Sequence, residues 1–236
     1  MAGTTLTPEG WSGASSGTWN NRANVVVDTQ GGIRTRGRDL IDALKGNDLI
    51  SGEQKNKPGV IIPRGQEEGE KRGFLQLGDG DDSITGISQN APGIDNSGFI
   101  FGGSGRDLIT GKGTSAIRNR GFIFLQQDDD TVDVRDGGIR GSGFIDLGGG
   151  RNTFIGFGNH RLYAGGVDTD RLLLPKGTYT IRRDSRRRYR VERGENTLEL
   201  FDFDQVGSIN GNRQDRITLD SGGTLVVRDN GSINFS

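Results

Sequence analysis

The chain has 236 residues, of which 30% are hydrophobic and 42 are glycine, too little apolar matter to fill a wide mixed core. Thirty basic residues stand against 31 acidic ones, a balance that gives no reason to expect nucleic acid as a partner. Cysteine is absent, which excludes disulfides, thiol catalysis and cysteine-held metals. No run of about 18 apolar residues occurs, so no transmembrane helix is expected.

Residues 1–23 carry no period and read as an N-terminal lead or cap, with Trp11 and Trp19 placed to cover an open end. Residues 1–17 are small and polar, with no secretory apolar segment. Strands begin with Val25-Val26-Val27 and Ile33. A tandem pair follows nine residues apart, Gly37-Arg38-Asp39-Leu40-Ile41 and Gly46-Asn47-Asp48-Leu49-Ile50. Residues 51–73 are charged and hold Pro58 and Pro63, so 53–57 and 65–71 are expected as surface loops.

A repeat then takes over. Gly73-Phe74-Leu75, Gly98-Phe99-Ile100, Gly121-Phe122-Ile123 and Gly143-Phe144-Ile145 recur at spacings of 25, 23 and 22 residues, with a fainter copy at Gly59-Val60-Ile61-Ile62. Each copy leads into a Gly/Asp-rich turn and a second apolar step. A further marker, Ile94-Asp95-Asn96, recurs as Ile117-Arg118-Asn119 and Ile139-Arg140-Gly141. Short strands and glycine corners at this period predict a solenoid. In register, Phe99, Phe122 and Phe144 are expected to stack, as are Ile84, Ile109, Val132 and Phe154, the two ladders forming the inner core. Asn96 and Asn119 are expected to stack at a corner, where asparagine tolerates left-handed backbone.

After Ala164 the period fails, and the later strands read as a cap. The expected fold is all-β: a right-handed parallel β-helix (a β-roll-like solenoid) over 24–165, with irregular capping strands over 166–236.

The turn at 102–109 matches Gly-Gly-x-Gly-x-Asp-x-apolar at every fixed position, the turn at 77–84 departs only at the first glycine, and the turn at 43–50 keeps Gly46, Asp48 and Ile50. Over about 35–165 the chain resembles the RTX (haemolysin-type) calcium-binding repeat proteins. The resemblance implies Ca2+ held between stacked turns, by Gly78, Asp79, Gly80 and Asp82 with Gly103, Ser104, Gly105 and Asp107, and by the latter turn with Asp128 and Asp130. Glycine turns free backbone carbonyls to converge, and calcium takes six to eight hard oxygen ligands. The fourth turn carries Asn152 instead of aspartate. Arg38, Arg106 and Arg151 stand beside the key position, where a guanidinium can neutralise stacked carboxylates in place of a metal.

The resemblance further implies a secreted or cell-surface protein, exported by a type I system, with a structural, adhesive or secretion-related role and no catalysis. The alternative is a polysaccharide lyase or epimerase on the same fold, with Asp133, Asp146 and Arg135 on one face, or a carbohydrate-binding module. A basic run, Arg182, Arg183, Arg186, Arg187, Arg188 and Arg190, reads as a hairpin tip suited to an acidic or cell-surface polysaccharide, or else as a solvated hairpin balanced by nearby acids. His160, the sole histidine, is expected at a corner, with no nucleophile motif near it. The glycine runs lack the Gly-Lys-Ser/Thr of a phosphate loop. Oligomeric state has no signal in the sequence.

Overall fold

The computed structural model describes strands at 4–6, 24–28, 33–34 and 40–42, together with residues 43, 45–64, 73–185, 187–212 and 215–236. Trp11, Trp19, Gly37, Arg38, Asp39, Arg186 and the loop expected at 65–71 lie outside the described residues. The described chain is all-β, without helix.

Three sheets hold it together, of ten, eleven and five strands. From Phe74 the chain visits them in rotation. Phe74–Asp79 joins the second sheet, Ser83–Ser88 the first and Ile94–Asn96 the third. Phe99–Ser104, Leu108–Lys112 and Ile117–Asn119 then repeat the sequence one strand further on. Neighbouring strands are parallel and in matched register, with Phe99 opposite Phe74 and Phe122, Ile109 opposite Ile84 and Val132, and Ile117 opposite Ile94. This is the arrangement expected of a β-solenoid.

Parallel pairing runs on past residue 165. Arg171–Leu174 and Gln205–Ser208 extend the first sheet, and Asn196–Phe201 extends the second beside His160–Tyr163. Antiparallel strands then complete the second sheet, Arg188–Arg193, Gly177–Ser185, Gly223–Val227 and Ile233–Phe235.

Alternation along each strand decides what faces inward. Ile84, Ile109, Val132 and Phe154 are buried, as expected, and Ile94, Ile117 and Ile139 line the third side. The second sheet differs from expectation. Leu75, Ile100, Ile123 and Ile145 are the buried set, while Phe74, Phe99, Phe122 and Phe144 stand half-buried on the outer face. The phenylalanines do stack, at 4.7 Å between Phe74 and Phe99 and 5.0 Å between Phe99 and Phe122. The pleat sends phenylalanine and isoleucine to opposite faces, and on this sheet the aliphatic one faces inward.

Two other expectations change. The fainter copy at 59–62 belongs to the third sheet, where Val60 pairs with Ile94, so it repeats the Ile-x-Asn strand. The tandem pair divides between sheets, since Leu40 pairs with Phe74 and Leu49 with Ser83. A nine-residue repeat here spans one corner, with a different sheet on each side.

Candidate functional site

The Gly/Asp turns join the second sheet to the first and stack in register, with Gly103 opposite Gly78 and Ser104 opposite Asp79. Their glycines are required by backbone shape. Gly78, Gly80, Gly103, Gly105, Gly148 and Gly150 all have positive φ. At the third turn Gln126 and Asp128 occupy the matching places and keep φ at 79° and 77°, so the fold imposes the turn even without glycine.

Inside these turns runs a ladder of side chains, buried except for the half-buried Asp204 at its end. Asp82 Oδ1 accepts from the Asp48 amide at 2.6 Å, Asp107 Oδ1 from Asp82 at 3.1 Å, and Asp130 Oδ1 from Asp107 at 2.7 Å. Asn152 Oδ1 then accepts from Asp130 at 2.9 Å, Asp170 Oδ1 from Asn152 at 2.8 Å, and Asp204 Oδ2 from Asp170 at 3.0 Å. Each rung's side chain thus fixes the preceding turn by accepting a hydrogen bond from its backbone amide.

The second oxygen of the buried aspartates has no such use. Oδ2 of Asp82, Asp107, Asp130 and Asp170 is buried without a hydrogen-bond partner. Burial, reinforced by neighbouring carboxylates, pushes Asp82 up to about 6, Asp170 to about 7 and Asp107 and Asp130 to about 8, against the pull of the backbone amides. Asn152 shows what faces that oxygen. Its Nδ2 donates to the carbonyls of Gly148 at 3.2 Å and Gly150 at 3.4 Å. In a matching turn, an aspartate Oδ2 therefore confronts acceptors where Asn152 supplies a donor. Such a meeting calls for a proton or a cation between the oxygens.

The other carboxylates of the turns are exposed and already matched. Asp79 lies 2.9 Å from Lys45 Nζ and accepts from Ser104 Oγ at 2.9 Å; Lys45 chiefly holds its carboxyl below the usual range. Asp128 Oδ2 accepts from the Gly105 amide at 3.0 Å. Arg106 donates from its amide and Nη2 to Asp81, and Arg151 does the same to Asp129. The arginines thus neutralise Asp81 and Asp129, the outer neighbours of the ladder, and leave the buried rungs uncompensated. Among the described residues no group of three or more acidic or histidine side chains forms a metal centre, so backbone carbonyls would have to supply most ligands.

The structure brings Gly78, Gly80, Asp82, Gly103, Gly105, Asp107 and Asp130 to this one column. Asp79, Ser104 and Asp128 lie on its exposed rim. Sequence reasoning missed Asp170 and Asp204 as rungs because the glycine pattern thins to Gly165 and Gly166 before Asp170 and is lost before Asp204. The remaining signal is an acidic residue two places before an apolar one, as in Asp170-Arg171-Leu172 and Asp204-Gln205-Val206.

Comparison with family models, curated proteins and solved structures finds no match.

A second ladder runs at the corner between the third and second sheets. Asn96 Nδ2 donates to Asn119 Oδ1 at 2.9 Å, and Asn119 Nδ2 to the Phe144 carbonyl at 3.0 Å and to His160 Nε2 at 3.2 Å. The asparagines do stack, but through these amides and not through left-handed backbone, since neither is among the described residues with positive φ. With Nε2 accepting from Asn119 the imidazole is neutral, and Nδ1 lies 2.8 Å from both the amide nitrogen and the carbonyl oxygen of Arg161. Burial depresses the His160 pKa.

The basic run is an antiparallel hairpin, Gly177–Ser185 with Arg188–Arg193. Arg182 pairs with Glu192, Arg187 with Asp202, Arg188 with Glu199, and Arg190 with Asp184. Arg183 donates to the Asp220 carbonyl. Nearby acids match most of its charge. Asp133 and Arg135 pair with each other at 2.8 Å on the first sheet, and Asp146 lies on the second.

Proposed function

We propose that the chain is a right-handed β-helix repeat module of the RTX-like kind, whose stacked Gly/Asp turns take up calcium and so lock the coils together. The role is structural or adhesive, at the cell surface or outside it, after export in a calcium-poor, loosely folded state. One observation carries this reading: four buried carboxylates each keep an unpartnered Oδ2 within turns whose Asn152 version points a donor at two carbonyls. Oδ2 of Asp82, Asp107 and Asp130 with turn carbonyls would hold the ion. A hard divalent cation suits an all-oxygen site of this kind, and its binding free energy adds to folding free energy.

The turn at Asn152 carries its own donor and needs no cation. Calcium uptake should therefore be confined to the aspartate turns, and isothermal titration of chelator-stripped protein tests this. Heat on calcium addition in the wild type, diminished in Asp107→Asn, supports the reading. Absence of calcium binding by folded wild-type protein refutes it.

A further inference from the structure

The outer wall of the solenoid steps inward at one place. The coil is 22 residues from Asp130 to Asn152 but only 18 from Asn152 to Asp170. The third sheet ends with Ile139–Arg140 at this level. A groove of about 500 Å³ opens at the step. Gly121, Gly141, Ser142, Gly143 and the buried His160 are among the residues that line it.

The aromatic ladder breaks at the same level. Above it the rings lie nearly parallel, within 10° for Phe99 and Phe122. Phe122 and Phe144 part to 6.4 Å and tilt by 45°, while Phe144 stacks on Tyr163 at 4.6 Å. Gly141 to Gly143 bring no side chain to fill the wedge, except the exposed Ser142. All three rings line the groove.

Its polar rim is Arg120, Asn159, Arg161, Thr197 and Glu199. Glu199 is matched twice over, by Arg161 at 3.0 Å and Arg188 at 3.4 Å. Asp95 is bound bidentately by Arg118 at 2.6 and 2.9 Å, which leaves Arg120 only the long contacts of 3.3 and 3.5 Å. Among the described residues of the rim, positive charge is in excess and concentrates on Arg120. Its exposed side chain is anchored by a backbone that donates to Asn96 at 2.7 Å.

We propose that this groove binds a hexuronate unit of an acidic polysaccharide, the sugar ring packed against the exposed edges of Phe122, Phe144 and Tyr163 and the sugar carboxylate on Arg120. Partly exposed aromatic rings give the C–H groups of a pyranose an apolar surface. Asn159 and Thr197 offer both donors and acceptors to hydroxyls, and a guanidinium pairs with a carboxylate through two hydrogen bonds. This partner fits an adhesive module but does not depend on calcium in the turns.

Calorimetric titration with trigalacturonate, with galactotriose as the neutral counterpart, tests the proposal on protein shown by melting to be folded. Wild type should bind the uronate at least about tenfold more tightly than the neutral trimer. Arg120→Gln should abolish that difference while leaving the neutral trimer's affinity unchanged. Phe144→Ala should weaken both sugars; should that variant unfold, the exposed Arg120→Gln still decides. Arg183→Gln in the basic hairpin should behave as wild type. No uronate binding by folded wild type, undiminished preference in Arg120→Gln, or a loss that follows Arg183→Gln would each overturn it.

Discussion

Asn152 donates from Nδ2 to the carbonyl of Gly148 at 3.2 Å, inside a turn whose sister turns carry aspartate at the same place. The side chains differ by one atom, nitrogen against oxygen. That atom decides whether the turn satisfies itself or requires something added. Asp107→Asn should therefore make its turn self-sufficient. In chelator at pH 8, urea unfolding should find the variant more stable than wild type, by about 1–3 kcal/mol. Lower stability would mean that the Asp107 Oδ2 does not face acceptors.

Turn shape gives a second prediction. A Cβ on Gly103 would lie 1.8 Å from the Gly78 carbonyl oxygen, at a φ of +133°. One on Gly149 would meet nothing nearer than 4.0 Å. Gly103→Ala should cost at least about 2 kcal/mol through clash and backbone strain. Gly149→Ala should fall within about 0.5 kcal/mol of wild type. Equal costs would contradict the stacking of the turns.

The inner and outer faces of the second sheet can be compared one residue apart. Ile100 is fully buried, and Phe99 is a half-buried outer ring stacked on Phe74 and Phe122. Ile100→Ala should cost about 2–5 kcal/mol. Phe99→Ala should cost less, although phenylalanine is the larger side chain, because it removes stacking and partial burial without leaving a core cavity. The reverse order, read from denaturant midpoints, would return the phenylalanines to the interior.

His160 supplies an acid-side prediction. Its folded pKa lies below the ordinary value of 6.5 because the ring is buried. A depressed histidine contributes stability above its unfolded pKa and loses it as pH falls toward the folded one. The stability of wild type relative to His160→Asn should fall between pH 7 and pH 5. The aspartate ladder titrates in both proteins and drops out of the difference. A difference that does not change with pH would contradict the neutral imidazole beside Asn119.

Much of the repeat was legible in the sequence because its period is carried by residues with few alternatives. Glycine marks the positive-φ places, and Ile84, Ile109, Val132 and Phe154 mark an inward row. The placing of isoleucine inside and phenylalanine outside on the second sheet was not legible. Both Phe99 and Ile100 are apolar, and only the pleat register separates them. Asp82, Asp107 and Asp130 could be singled out, but the ladder's reach to Asp170 and Asp204 could not, since the full glycine pattern that advertises it is reduced to Gly165 and Gly166 before Asp170 and is absent before Asp204. The groove at Phe144 and Arg120 was invisible for a similar reason. It arises from a shortened coil, whose consequence appears only when strands far apart in sequence are set side by side.

The most direct test of the account is thermal melting from pH 4 to pH 9, with calcium and with chelator. Folded pKa values of about 6 to 8 for Asp82, Asp107, Asp130 and Asp170 lie above the unfolded value of 3.8. The stability these groups contribute is present in full below that value and lost as pH rises through the folded ones. In chelator the melting temperature should therefore fall from about pH 4 to pH 8 as protons leave the ladder. Calcium should restore it at pH 8 and do little at pH 4, where the carboxyls hold protons. Superimposable melting curves with calcium and chelator at pH 8 would contradict the claim that the turns take up the ion.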